Sequence, residues 1–460
     1  PNLFDVVALA VGHYHTCALR DNGTVWCWGY NYYGQLGDGT GGVTGIPGSD
    51  RYIPTMVPGF SVMVPGFTTL PRDITAGGYH TCVRMSDGSV RCWGRGTEGQ
   101  LGNNTSSTNY SPVTVLINAS SSLTGVVQLT SNMHQTCARL SDNTLRCWGW
   151  NAYGQIGDNT YTNKVVATPV VELRPGASST IALTNVRHVS MGHYSTCAAL
   201  NDLTVRCWGR GDYGQIGDSA VLNRPAAVEV IDLSGGARCS ATPGAPTTET
   251  CGTADNNCNG LAGDVAQSLC NTCSPPTATC TVGAGVCSAT GASACVDTGA
   301  TAVEGSELST CAREPDGTLR CWGYNGYGNL GDGTTTARMT PVDRGGLTGV
   351  LDISFGQQHH CARMRDGTVR CWGYNGYGQL GNGTTTNSAA PVTVTGLSSV
   401  QQISCGFSHC CARKADGTVW CWGSNSNGQL GDDTATNRST PVRVAYLTNV
   451  VNIGAGHYHT

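Results

Sequence analysis

The chain has 460 residues, 64 of them Gly and 24 Cys, and only 12 % carry a formal charge, against about a quarter in an average soluble domain. A net charge of −4 provides no basic field for nucleic acid, and a hydrophobic fraction of 39 % is enough for a packed core, which excludes wholesale disorder. No apolar run approaches the roughly 20 residues that span a bilayer, and this much Cys is unusual in a cytosolic chain unless it binds metal.

The sequence opens at Pro1, with no initiating Met and no leader of basic, apolar and small residues, so a mature product or a piece of something longer is expected. A repeated unit then begins. The first copy reads His15-Thr16-Cys17-Ala18-Leu19, a turn at Asp21-Asn22-Gly23, Val25-Trp26-Cys27-Trp28-Gly29, and Gly34-Gln35-Leu36-Gly37. The second places Cys82, Asp87-Gly88, Cys92-Trp93-Gly94 and Gly99-Gln100-Leu101-Gly102 at the same offsets. The third has Cys137, Asp142-Asn143, Cys147-Trp148-Gly149 and Gly154-Gln155-Ile156-Gly157; the fourth has Cys197, Asp202, Cys207-Trp208-Gly209 and Gly214-Gln215-Ile216-Gly217.

Residues 237–305 are different material, rich in Ser, Thr, Ala, Gly and Pro and almost without large apolar side chains. They carry Cys239, Cys251, Cys258, Cys270, Cys273, Cys280, Cys287 and Cys295, so disulfides would have to staple a segment that cannot build a core. The repeat then resumes. The fifth copy has Cys311, Asp316-Gly317, Cys321-Trp322-Gly323 and Gly328-Asn329-Leu330-Gly331. The sixth has Cys361, Cys371-Trp372-Gly373 and Gly378-Gln379-Leu380-Gly381; the seventh has Cys411, Cys421-Trp422-Gly423 and Gly428-Gln429-Leu430-Gly431. First cysteines lie 50 residues apart in the last three copies, and longer spacings elsewhere read as insertions in connections.

Each copy reads as β. Two short alternating runs flank an Asp-Gly type turn, the signature of a hairpin. If residues 17 and 27 lie opposite each other, their side chains leave the same face. Facing Cβ atoms sit about 4.5–5.5 Å apart and a disulfide takes about 3.5–4.5 Å, so a small adjustment joins them. The expected pairs are Cys17–Cys27, Cys82–Cys92, Cys137–Cys147, Cys197–Cys207, Cys311–Cys321, Cys361–Cys371 and Cys411–Cys421. Free buried thiols are the alternative. Zinc fits less well, since one pair per unit supplies two ligands where a structural site takes about four. Cys405 and Cys410 stand where the second unit has Ala76 and Thr81, and an eighth disulfide between them is expected, with a redox-active pair as the alternative.

A sheet of about 50 residues cannot cover both its faces alone, whereas seven arranged radially can. The expected fold is therefore all-β, a seven-bladed β-propeller of about 50-residue repeats with a disulfide-rich insertion between the fourth and fifth. Repeats one to four fill 1–236, the insertion 237–305, and repeats five to seven plus the first strand of a further repeat 306–460.

The pattern Gly-x-x-His-Thr-Cys-Ala, Asp-Gly-Thr-Val-x-x-Trp-Gly, Gly-Gln-Leu-Gly and Pro-Val resembles the repeat of the regulator of chromosome condensation family. The resemblance implies the seven-bladed propeller. Nuclear nucleotide exchange and chromatin binding, both known in that family, imply a reducing compartment and a basic tail, which the Cys pairs and the low charge oppose. Ultraviolet sensing, also known there, needs clustered Trp outside the Trp-Gly step. Here Trp26, Trp28, Trp93, Trp148, Trp150, Trp208, Trp322, Trp372, Trp420 and Trp422 all sit in that segment and read as blade packing. Secreted, Cys-bearing bacterial members that bind proteins with one rim fit best.

Of the candidate sites, His15, His80, His359, His409 and His459 share one slot two residues before the first-Cys position, where other copies have Gln135, Ser195 and Ser309. A metal-binding ring is one reading. A structural role, bonding to backbone, is what the resemblance implies. In the insertion, Cys251 to Gly260 resembles Asp/Asn-Cys-Gly modules of secreted bacterial proteins, and Asp255, Asn257, Asn259 and Asp264 supply the oxygen ligands that calcium takes. Cys270 and Cys273 also permit zinc. No Gly-x-Ser-x-Gly elbow, Gly-Lys-Ser/Thr loop or Cys-x-x-Cys-His occurs, so no enzyme and no other cofactor is expected.

Residues 450–460 repeat residues 6–16, and the chain stops one residue short of the next expected Cys. A longer native chain, a segment of a larger assembly, and a strand donated to a neighbouring subunit are the expectations; an extra strand folded over its own ring is the plain alternative. Taken together, the sequence points to an extracellular or cell-surface scaffold for structure, adhesion or protein binding, with a subunit of a surface filament as one form of it. A soluble inhibitor or regulator of a secreted enzyme, and a metal-binding extracellular enzyme, are the alternatives. A protein partner or self-assembly is expected, with no nucleic acid and no membrane span. Contacts are expected from the loops of residues 40–72, 103–123, 158–187 and 237–305.

Overall fold

The computed structural model describes residues 3–42, 49–60, 69–174, 176, 178–231, 233, 300–343 and 347–460. The first unit forms four antiparallel strands, β1 (Val6–Val11), β2 (His15–Arg20), β3 (Val25–Gly29) and β4 (Arg51–Met56), hydrogen-bonded in that order. Six more sheets of the same order follow among the described residues, with inner strands Pro71–Ala76, Val126–Ser131, Val186–Met191, Ala302–Gly305, Val350–Phe355 and Val400–Cys405. The fold is an all-β seven-bladed propeller. The fourth blade is widened by two short strands, Val171–Glu172 and Ile181–Ala182, from the connection that precedes it.

Each hairpin is set by its turn. Asp87, Asp142, Asp202, Asp366 and Asp416 each accept hydrogen bonds from the backbone N–H and the hydroxyl of the Ser or Thr two residues on. The residue between must take a positive φ. Five units place Gly there (Gly23, Gly88, Gly317, Gly367, Gly417), the third uses Asn143, and the fourth forces Leu203 to φ 68°. The turn fixes the register, and Cys17 faces Cys27 as Cys82 faces Cys92 in the next blade. All seven hairpins are joined by a disulfide at Cα–Cα 4.1 Å, and Cys405 is joined to Cys410 at 4.0 Å.

Consecutive blades pack face to face, as in the cluster of Leu19, Val25 and Leu36 from the first with Ile74, Val83, Met85 and Trp93 from the second. Trp93, Trp148, Trp208, Trp322, Trp372 and Trp422 are fully buried, and each Nε1–H donates at 2.8–2.9 Å to the Gln or Asn carbonyl of the preceding Gly-Gln-Leu-Gly corner. A ring and a directed N–H at the same point lock one blade onto the next.

Residues 450–460 lie between the seventh blade and the first. Ser404 Oγ accepts from Ala455 N at 2.9 Å, just as Ser354 Oγ accepts from Cys405 N one blade earlier. Gly454 approaches Val11, and His459 Nε2 meets Thr16 Oγ1. The duplicated segment therefore takes an eighth station at the axis, beside its own ring. The corner of the seventh blade is less covered than the corners of the other blades. A Cβ on Gly428 would meet nothing within 4 Å, whereas the equivalent Gly34, Gly154 and Gly378 are pressed against the next blade's outer strand. Trp28, on the far side of the seam, is only partly buried.

Two sequence readings change. Ala302–Gly305, assigned to the insertion by composition, is the inner strand of the fifth blade; only Val303 on it is buried and apolar, so alternation gave no signal. Trp150 packs no blade and lies on an end face, described below. Residues 237–299 of the expected insertion, including Cys239, Cys251, Cys258, Cys270, Cys273, Cys280, Cys287 and Cys295, fall outside the described residues.

Candidate functional site: the axial histidines and the aromatic face

The strand register decides what gathers at each end of the ring. Gly29 pairs with both His15 and Arg51, so the β1–β2 turn and the Gly-Gln-Leu-Gly corner lie on one face. The Asp-Gly hairpin turns and the connections to the next blade lie on the other. The expected contact loops therefore divide. Of the described residues, 40–42, 49, 103–108 and 158–163 belong to the first face, and 57–60, 69–70, 115–123, 170–174 and 178–185 to the second.

Every inner strand reaches the axis in the same way, ending in a residue, a Gly in most copies, and a turn residue. Eight such triplets line an axial cavity of about 320 Å³: Val11-Gly12-His13, Ala76-Gly77-Gly78, Ser131-Asn132-Met133, Met191-Gly192-His193, Gly305-Ser306-Glu307, Phe355-Gly356-Gln357, Cys405-Gly406-Phe407 and Ala455-Gly456-His457. A Cβ on Gly77 would come within 2.5 Å of the Asn132 carbonyl oxygen and of the His80 ring, so close packing around the axis requires Gly there.

Three of the eight turn residues are His. The His13 and His457 rings lie 3.6 Å apart between centroids, and His193 reaches across from the fourth blade to within 5.6 Å of His13 and 5.9 Å of His457. One ring nitrogen from each falls within 4.8 Å of the other two. His193 Nδ1 is 3.7 Å from a Glu307 carboxylate oxygen, which also accepts from Gln357 Nε2 at 3.1 Å. Asn132 Nδ2 donates to the Gly192 carbonyl and, at 3.3 Å, to that of His193, which fixes the turn. Burial, and then the neighbouring rings, push His13 down to about 2 and His457 to about 4. Both imidazoles are neutral at neutral pH. Sequence reading passed over this cluster; its signal was Gly-His-Tyr at 12–14, 192–194 and 456–458.

Around the mouth runs a belt of aromatic rings. Phe407, Tyr458, Tyr14, Tyr79 and Tyr33 follow one another at 5.1–6.1 Å between centroids. Trp150 touches His134, Tyr153 and Tyr194 at 5.5–5.7 Å, and the Arg210 guanidinium sits 5.3–5.4 Å above Tyr153, Tyr194 and Tyr213. Tyr213, Tyr324, Tyr327, Tyr374 and Tyr377 continue the line at 5.2–6.3 Å. Burial raises Tyr79, Tyr194, Tyr324 and Tyr458, so these phenols stay protonated donors. The belt arises because Tyr recurs just after the Trp-Gly step and just before the Gly-Gln-Leu-Gly corner, as in Tyr324/Tyr327 and Tyr374/Tyr377.

The expected His column sits elsewhere. His15, His80, His359 and His409 are buried between units and do not line the cavity. Their Nε2 atoms meet the next unit's Thr81, Thr136 and Thr460 hydroxyls at 2.8–2.9 Å, with Cys410 Sγ taking the place of Thr beyond His359. Gln135 does the same to Thr196. The partner is thus a side chain of the neighbouring unit, where the resemblance implied backbone. A second group, His359 with Cys361, Cys405 and Cys410, also brings ligand atoms together, but its sulfurs are joined in disulfides. The calcium set Asp255, Asn257, Asn259 and Asp264 lies outside the described residues. Among the described residues no helix is long and apolar enough to cross a membrane.

The regulator of chromosome condensation (RCC1) repeat matches residues 22–84, 87–138, 316–363, 366–413 and 416–460, and a second description of that repeat matches six segments between 6 and 429. The probable E3 ubiquitin-protein ligase HERC4 of Mus musculus is 29 % identical over 228 residues, 49 % of this chain and 19 % of its own length. The ultraviolet-B receptor UVR8 of Arabidopsis thaliana is 28 % identical over 229 residues, 49 % of this chain and 47 % of its own. The chain thus spans less than half the length of these relatives. Human WBSCR16 superimposes with a TM-score of 0.62 at 19 % identity, covering 94 % of this chain and 96 % of that one. Prp20p of Saccharomyces cerevisiae, described with its binding to Gsp1p and histones, gives 0.58 at 14 %, covering 96 % and 90 %. At such identities the likeness speaks for the fold. With repeat matches over more than half its length, the chain belongs to the regulator of chromosome condensation (RCC1) repeat family.

Proposed function

We propose that this protein is a binding propeller of the cell exterior, which holds a protein partner on its aromatic face. The belt of Tyr and Trp rings carries this reading, with Arg210 among them and Arg95 5.4 Å above the Tyr33 ring. Tyr14, Tyr213, Tyr377 and Tyr458 are 37–45 % exposed. Tyr, Trp and Arg are the side chains that dominate protein interfaces, because they offer large rigid area with a polar tip. One disulfide per blade supports an oxidising location, secreted or on the cell surface. The weak net charge favours a protein over nucleic acid. The reaction class of an enzyme is not assigned, and the binding propellers of the family support a scaffold or regulatory role. The cysteine-rich residues 237–299 are proposed as a stapled protrusion with a calcium set at Asp255, Asn257, Asn259 and Asp264. Inhibition of a secreted enzyme is the second form the same face supports.

The test compares the full chain with a Tyr194→Ser/Arg210→Glu variant as bait for surface extracts and culture medium. One protein retained by the first and lost by the second, at unchanged thermal midpoint, supports the reading. Equal retention by both assigns binding to another face. Antibody labelling of intact cells tests the location.

A further inference from the structure

The axial histidines have a use that protein binding does not require. We infer that His13, His193 and His457 form a three-imidazole site for one divalent transition-metal ion of the zinc type, at the mouth of the axial cavity. Three features of the trio converge. The ligand nitrogens of all three lie within 4.8 Å of one another. A tetrahedral zinc with Zn–N bonds of about 2.0–2.1 Å holds its nitrogens about 3.4 Å apart, so side-chain rotations alone close the site. The three residues come from the first blade, the fourth blade and the terminal segment, so no local stacking of one hairpin brings them together. The turn that carries His193 is braced by Asn132, and Glu307, itself held by Gln357, lies beside Nδ1. A carboxylate at Nδ1 orients an imidazole to present Nε2 to a metal.

The donor set chooses the ion. Neutral imidazoles suit zinc, copper and nickel, whereas calcium and magnesium take oxygen. Three protein ligands leave the fourth position free, and the cavity mouth is open there. The site would therefore hold a water, or a ligating side chain from whatever docks on the aromatic face.

The test is zinc titration calorimetry on the oxidised full chain with residual thiols alkylated. One ion per chain at micromolar affinity or better is expected, with a rise in thermal midpoint. His193→Ala and His457→Ala should each weaken binding more than about 100-fold, since even loss of a supporting partner costs 10–100-fold. His134→Ala, beside Trp150 and outside the trio, should bind as the parent. Unchanged zinc binding in the His13→Ala/His193→Ala/His457→Ala variant, or only millimolar binding by the parent, overturns the site. Copper(II) electron paramagnetic resonance on the unmutated chain gives a second readout: coupling to three imidazole nitrogens is expected, and coupling to one or none refutes it. If the metal binds but partner capture by the aromatic face fails, the proposed function falls and the site stands.

Discussion

His459 Nε2 lies 3.0 Å from Thr16 Oγ1, a hydrogen bond between residues 443 positions apart. It repeats a contact made along the ring, where His15, His80, Gln135 and His409 each reach a Thr hydroxyl of the next unit, as His80 reaches Thr136 and His409 reaches Thr460. Thr16→Val should cost about 1 kcal/mol, the usual net value of one buried hydrogen bond. Removing residues 450–460 should cost several times more, because Ile453 leaves its cluster and Val11 is uncovered. Urea unfolding of both variants measures this. A truncated chain as stable as the parent would mean that the eighth station contributes nothing to closure.

The hairpin disulfides are the second lever. Each closes a loop with a sequence separation of 10, and short loops of this kind contribute about 2–3 kcal/mol. Cys82→Ser/Cys92→Ser should lose that much in urea at unchanged m-value. Full reduction should lower the thermal midpoint far more than any one pair does.

Acid should weaken the ring through its buried histidines. Burial holds His15, His80 and His359 at about 3, well below the ordinary 6.5. The unfolded chain takes up a proton near pH 6.5 and the folded chain does not until about pH 3. The stability that each neutral ring contributes is therefore complete above pH 6.5 and declines as the pH falls toward 3, by about 1.4 kcal/mol per unit for each ring. His80→Gln, copying Gln135 in the third unit, should flatten the decline between pH 6.5 and 5 by one such increment. An unchanged slope would place the titration elsewhere.

The fourth hairpin carries an avoidable strain. Leu203 adopts φ 68°, where five units use Gly. A non-Gly side chain in this region costs roughly 1–2 kcal/mol. Leu203→Gly should thus stabilise by about 1 kcal/mol, and chemical denaturation that shows a loss would mean that Leu203 packing outweighs its backbone.

Blade count, strand order and hairpin register were legible because they follow from local chemistry repeated seven times. Cys17 opposite Cys27 is a consequence of one turn, written there in Asn22-Gly23-Thr24 and in the other blades in Asp-x-Ser/Thr. The central site was not legible in the same way. His13 and His193 belong to different blades, and only closure of the ring brings them across the axis. The column at His15 drew attention because it is more regular, yet its regularity comes from a repeated contact between neighbours. Alternation places Trp150, two residues past Trp148, on the packing side, but the strand ends at Gly149, whose φ of 111° turns the chain onto the end face.

Because residues 450–460 meet the first blade at one seam, force applied across that seam meets a built-in order of failure. Tension between Val11 and Ile453 loads the His459–Thr16 bond and the packing beside Val11, and among the described residues no disulfide crosses that line. The seam parts first at low force, and blades then peel away one after another. Each locked hairpin withholds the residues between its cysteines from the contour that extension can release. A force–extension trace would thus show a series of similar steps, every one of them lengthening when the bridges are reduced.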